Sequence, residues 1–198
     1  MKEPRFNHLN LAKRIVKYLK TTRDLEMKFT GEQYNDKVDF ICFTDSSYCS
    51  EDDLTSVIGF VIFVGDNIVK YRSKKLKFIA ESSCEAEFMA VYFSSKEIRA
   101  VMNVLDFLGV RYKRPKVWCD NQSTIKIARS AASVERTKHI KRKYLKIREL
   151  IRNGILEIDY VETTQQVADI FTKALPRPQF EFLRENLNSG GSVEKLQE

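Results

Sequence analysis

Glycine and proline are scarce, seven and four residues in a chain of 198, too few for a collagen-like repeat or a Pro-rich low-complexity protein. Histidine is scarcer still, with two residues. The four cysteines, Cys42, Cys49, Cys84 and Cys119, form no C-x-x-C pair and have no histidine close by to complete a zinc set. Reduced thiols in an intracellular protein are a simpler reading than disulfides. Long apolar runs are also missing. The longest near-continuous one goes only from Val57 to Val64, far short of the ~20 residues that span a bilayer. Met1-Lys-Glu-Pro-Arg5 carries charge with no apolar signal core behind it. A non-secreted, intracellular protein with no membrane contact is expected, whether in the cytoplasm, in the nucleus or inside a particle.

What is abundant is positive charge. Thirty-four Lys and Arg stand against 27 Asp and Glu, a formal net charge of +7, which favours an acidic partner such as nucleic acid. A hydrophobic fraction of 43% is enough for a packed core and excludes wholesale disorder. The length suits one domain with a short attached segment.

Leu11, Ile15 and Leu19 recur every fourth residue among Lys13, Arg14, Lys17 and Lys20, which predicts an amphipathic helix over Phe6 to Leu19 with a basic outer face. A boundary near residue 36 follows. Strands are predicted at Val38–Thr44, Ile58–Val64 and Ile68–Arg72, the last two joined by the hairpin residues Gly65-Asp-Asn67. A long helix from Ser83 to Leu108 is closed by Gly109. A short strand at Lys116–Cys119 and a helix at Asn121–Ser130 come next. A basic helix at Thr137–Asn153, a strand at Ile155–Val161 and a helix at Gln165–Ala174 complete the order. The reading is α/β: residues 1–36 an N-terminal helical connection segment, 37–187 a mixed sheet covered by helices, and 188–198 a loose tail.

Four acidic residues fall where structure alone would not ask for them. Asp45 follows the first strand and Asp120 the fourth; a turn and a helix N-cap would explain each singly. In Ser82-Ser-Cys-Glu85, Glu85 completes a capping box on Ser82. Glu87, ~200° around the helix from Glu85, borders the face turned to the sheet, where an unpaired carboxylate costs several kcal/mol. Thr163 supplies a cap for the last helix, which leaves Asp169 inside it without a capping role. Four carboxylates converging on one sheet edge would repel one another unless cations sat between them. Mg²⁺, an oxygen-seeking ion, suits such a set, and a pair of them supports phosphodiester hydrolysis.

The motifs Phe43-Thr-Asp-Ser-Ser-Tyr48, Ser73-Lys-Lys75, Ser82-Ser-Cys-Glu-Ala-Glu-Phe-Met-Ala90, Cys119-Asp-Asn-Gln-Ser123, Arg136-Thr-Lys-His-Ile140 and Val167-Ala-Asp-Ile-Phe-Thr-Lys-Ala-Leu-Pro176 occur in that order. Together they resemble the ribonuclease H domain of copia-type LTR retrotransposon polyproteins, over nearly the whole chain. Residues 4–31 look like the stretch that joins this domain to its reverse transcriptase. The resemblance implies a ribonuclease H-like fold, a five-stranded mixed sheet with helices on both faces. It implies hydrolysis of the RNA strand of an RNA–DNA hybrid using two Mg²⁺ ions, with Mn²⁺ a workable substitute. It assigns Asp45, Glu87, Asp120 and Asp169 as catalytic and metal-holding residues. Ser82, Ser83, Asn121 and Gln122 match positions that touch the hybrid. The charge excess of the basic helix adds Lys138, Arg142 and Lys146 as phosphate contacts, beside Arg136, Lys141, Lys143, Arg148 and Arg152. The expected partners are the hybrid and a reverse transcriptase domain or polyprotein.

Two positions depart from the pattern. Ser47 stands where many relatives of this element class carry a further acid. Glu162-Thr-Thr164 lacks the loop histidine that cellular ribonucleases H often have, which implies slower turnover unless Glu162 partly substitutes. His139 reads as a helix-surface or capping residue. Two other function classes compete. One is a catalytically weak or inactive domain of this fold that binds hybrid or plays a structural part beside a polymerase. The other is a transposase or integrase whose glutamate would be Glu157, although Glu157 lies in a predicted strand.

Overall fold

The structure is a computed structural model that describes residue 3 and residues 5–30, 37–49, 54–130 and 138–188, apart from the side chains of 138–140. The expected boundary at residue 36, Arg136, the side chains of Lys138 and His139, and the tail from 189 onward lie outside the described residues.

Five strands form one sheet: β1 (Phe40–Ser47), β2 (Val57–Val64), β3 (Asn67–Lys75), β4 (Lys116–Cys119) and β5 (Glu157–Tyr160), in the spatial order β3-β2-β1-β4-β5. The three leading strands pair antiparallel, whereas β4 joins β1, and β5 joins β4, in parallel. Gly65 turns the β2–β3 hairpin at φ +57°, a backbone state that costs other residues more.

Alternation along β1 sets up two cores. Phe40 and Cys42 face the long helix α2 (Ser83–Phe107), with α3 (Gln122–Arg129) and α4 (Lys138–Arg152) closing the same side through Ala128, Tyr144, Ile147 and Leu150. Phe43 points the other way and packs with Val61, Phe63, Val167 and Ala168. That second face is covered by a 3₁₀ turn, Val167–Phe171, and by α5 (Arg177–Asn188). The expected mixed sheet with helices on both faces is therefore what the chain forms.

Three differences from the sequence reading matter. β1 runs on to Ser47, so Asp45 lies inside the strand rather than after it. The helix expected at Gln165–Ala174 is two 3₁₀ turns, Thr163–Gln165 and Val167–Phe171, and Thr163 makes no side-chain cap. A helix not expected, α5, follows at once. Its Pro178 sits in the first turn, where a missing N–H costs nothing. The N-terminal helix α1 (Phe6–Thr21) forms as predicted but buries none of its residues. It touches α5 through the Tyr18 ring, edge-on to Phe180 at 5.9 Å. Among the described residues no helix is long and apolar enough to cross a membrane.

Candidate active site

The parity of β1 decides which way each polar side chain points. Thr44 and Ser46 share the α2 face, and Asp45 the opposite face with Phe43. Ser46 therefore meets Glu87 on the first turns of α2: its backbone N–H and its Oγ both donate to Glu87 Oε1 at 2.9 Å. Glu87 is buried, and its second oxygen, Oε2, has no hydrogen-bond partner. Burial, followed by the nearby charges of Asp45 and Asp120, pushes its carboxyl well above the usual range. Glu85 has a different task. Ser82 caps α2 by accepting the Glu85 N–H at 3.2 Å, and the Glu85 carboxylate receives the backbone N–H of Glu81, one residue earlier than a capping box would place it.

On the other face, Asp45 and Asp169 are both buried, at 0% and 2% exposure. The Lys173 ammonium lies between them, 3.1 Å from Asp45 Oδ1 and 2.9 Å from Asp169 Oδ1. Thr172 Oγ1 donates to the other Asp45 oxygen. Burial and the Asp45 charge push the Asp169 carboxyl up to about 7, against the opposing pull of Lys173. Asp169 is carried there by the 3₁₀ turn. Gln166 anchors that turn, donating from Nε2 to Thr44 O at 3.0 Å and accepting the Ala168 N–H at 3.3 Å.

Asp120 links the two sides. One carboxylate oxygen from each of Asp45, Asp120 and Asp169 lies within a 4.8 Å span, and Asp120 forms a second such group with Glu87 and the Cys119 thiol. Asp120 is not the cap of α3, because Asn121 Oδ1 accepts the Thr124 N–H at 2.9 Å. It accepts instead from Thr163 Oγ1 at 3.0 Å, and burial and Asp45 raise its carboxyl above the usual range. Cys119 was not anticipated here. Burial and the Glu87 charge keep its thiol protonated, which makes it a poor ligand. An all-oxygen donor set with one orphaned buried oxygen fits a hard divalent cation.

The expected contact residues divide. Ser83 and Gln122 are exposed on the first turns of α2 and α3. Those turns touch where Thr124 Oγ1 donates to Cys84 O at 3.2 Å. Asn121 is half-buried with its amide oxygen committed to capping. On α4, Arg142 is exposed and Lys146 pairs with Glu149 at 3.1 Å. Two other cations of that helix have structural partners. Lys143 lies over the Phe78 ring at 4.8 Å, and the buried Arg148 donates from Nε to Ile127 O at 3.1 Å. Glu157 is held on β5 by Arg114, outside both carboxylate groups.

No family model matches the chain. It is 31% identical over 183 residues to the retrovirus-related Pol polyprotein from transposon RE1 of Arabidopsis thaliana, covering 91% of this chain and 12% of that protein. To the corresponding polyprotein from transposon TNT 1-94 of Nicotiana tabacum it is 30% identical over 186 residues, 93% of this chain and 14% of the relative. The chain thus spans about an eighth of the length of the curated relatives it matches. Among solved structures, LC11-RNase H1 in complex with RNA/DNA hybrid overlays 67% of this chain and 93% of its own, at 18% identity and a TM-score of 0.49. An overlay that loose decides nothing about chemistry. The sequence relationship runs almost end to end: the chain is homologous to one stretch of the copia-type, retrovirus-related Pol polyproteins of transposons.

Proposed function

We propose that this domain is a Mg²⁺-dependent endoribonuclease that cuts the RNA strand of RNA–DNA hybrids. One observation carries the reading: carboxylates from positions 45, 87, 120 and 169, on β1, α2, the β4–α3 link and a 3₁₀ turn, gather beside the central strands in two groups that share Asp120. The buried Glu87 Oε2, which has no hydrogen-bond partner, supports it.

Asp45, Glu87, Asp120 and Asp169 would hold the ions, with Asp120 common to both sides of the cluster. Such ions, when bound, would supply activation of a water and charge stabilisation for the leaving oxygen. The chain's part is orientation. Ser46 fixes one oxygen of Glu87, Thr163 one of Asp120, and Gln166 ties the turn bearing Asp169 to β1. Ser83, Asn121 and Gln122 stand at the helix starts beside the cluster, suited to backbone and 2′-hydroxyl contacts in the wide minor groove. Lys138, Arg142 and Lys146 on α4 would add phosphate contacts blind to sequence. Residues 1–36 are read as a connection toward a reverse transcriptase domain, which the unburied α1 supports.

The test is cleavage of an end-labelled RNA strand within a hybrid, in Mg²⁺ at low salt. Cutting confined to the hybrid, absent on single-stranded RNA and abolished by Asp120→Asn, is expected. Hybrid binding without cutting, by a folded protein supplied with its polymerase portion, overturns it in favour of a binding domain.

A further inference from the structure

The two sides of the carboxylate cluster are not equivalent. On the Asp45–Asp169 side the chain supplies its own cation: Lys173 Nζ contacts both carboxylates at 3.1 and 2.9 Å, and Thr172 Oγ1 takes the remaining Asp45 oxygen. On the Glu87 side, Oε2 is buried and unpartnered. The Lys173 side chain is 32% exposed, so its four-carbon stem has a way out toward solvent, whereas the two aspartates it bridges have none.

From this, and on the reading of the cluster given above, we propose that Lys173 is a built-in counter-ion that holds the Asp45–Asp169 position in the metal-free protein and must withdraw before a divalent cation enters there. The two cation positions then differ in affinity. The position served by Glu87 fills first, because its free oxygen gains a partner there without breaking an ion pair. The position between Asp45 and Asp169 fills second and more weakly, because binding there breaks two ammonium contacts. A site that is competent only when Lys173 has swung out binds with its intrinsic affinity reduced by the competent fraction; if Lys173 is in place nine-tenths of the time, the loss is about tenfold.

Lys173 would also explain how four acids coexist before any cation arrives. It neutralises the pair that is buried most deeply, where bringing like charges together costs most. Its tether is short: Asp169 and Lys173 are four residues apart and joined by the Lys173 N–H to Asp169 O bond at 3.0 Å. The competitor therefore stays beside its site when displaced, and is placed to return when the ion leaves.

The experiment is calorimetric titration of Mn²⁺ into the metal-free full chain, comparing wild type with Lys173→Met, Lys173→Gln and Lys173→Arg, with thermal unfolding in chelator as the second readout. Two unequal sites are expected in the wild type. Removing the charge, in either the Met or the Gln variant, should tighten the weaker site about tenfold, leave the tighter one unchanged and lower the metal-free Tm. Arg, which keeps the charge, should behave as wild type does. Unchanged affinities at both sites in folded Met and Gln variants overturn the proposal. Weaker Mn²⁺ binding in those variants overturns it as well. No Mn²⁺ binding by any of the proteins overturns both this proposal and the metal reading of the cluster, which separates the two failures.

Discussion

Gly59 lies directly opposite Asp45 in the antiparallel register of β1 and β2. A Cβ built on it would stand 2.7 Å from Thr172 Cγ2, 2.8 Å from Phe171 Cβ and 3.2 Å from Ala168 O. The missing side chain is what lets the turn bearing Asp169, Thr172 and Lys173 settle onto the strand next to Asp45. Glycine is needed here for space and not for a special backbone angle.

Gly59→Ala is therefore expected to push the 167–172 turn off the sheet. Overpacking of this kind costs ~1–3 kcal/mol, and two of the three crowded groups are main chain or Cβ, which cannot rotate away. Thermal unfolding should show the loss of stability. Hybrid cleavage should fall further than stability alone explains, because Asp169 no longer meets Asp45. A variant that melts lower but cuts normally would show that the turn adapts without moving its carboxylate.

Glu87 sets function against stability. Burial, followed by the charges of Asp45 and Asp120, pushes its carboxyl well above the usual range, which favours the neutral form that glutamine copies. Glu87→Gln keeps an oxygen for Ser46 and offers an N–H₂ where Oε2 now has no partner. In chelator the variant should be at least as stable as wild type, by up to ~1 kcal/mol or a few degrees in Tm. Cleavage should be lost, and so should the extra stability that Mg²⁺ gives the wild type.

The carboxylates themselves were legible before the structure: Glu87 and Asp169 broke a local rule of burial or capping, and Asp45 and Asp120, each explicable singly, joined them as a set. What gathers them was not. Gly59 reads as one more small residue in an apolar strand, and its role exists only once Phe171 and Thr172 arrive from more than a hundred residues away. Gln166 stands three residues after Thr163, the spacing of a capping box, yet its side chain ties a 3₁₀ turn to Thr44 O. That tertiary bond overrides the helical spacing of Val167 to Ala174. Two prolines hid α5, because Pro176 reads as a stop while Pro178 is harmless at a helix start. The apolar run Phe40–Phe43, by contrast, correctly marked a buried strand, since that signal is local.

Titration of Asp169 gives a pH signature. An unfolded aspartate releases its proton near 3.9, and the folded one near about 7. Between those values the folded state holds a proton that the unfolded chain has given up. The metal-free protein therefore loses stability as pH rises through this window, and this group contributes no further slope above it. Asp169→Asn should flatten that part of the curve. Cation binding should expel protons, more near pH 6 than near pH 8, which calorimetry in buffers of different ionisation heat reads directly.

The basic helix separates contact from scaffold within one turn and a half. Arg142 is exposed, while Arg148 is buried and bonded to Ile127 O. Arg142→Ala should leave Tm within ~0.5 kcal/mol of wild type. It should weaken hybrid binding at low salt and reduce the slope of log K against log salt by about one, the signature of one lost phosphate contact. Arg148→Ala should do the reverse, destabilising by roughly 1–3 kcal/mol through the acceptor left unpaired and the packing of its stem. Its salt slope should stay that of the wild type. If both substitutions change the slope alike, the buried arginine must reach the surface when nucleic acid binds, and α4 has to move to allow it.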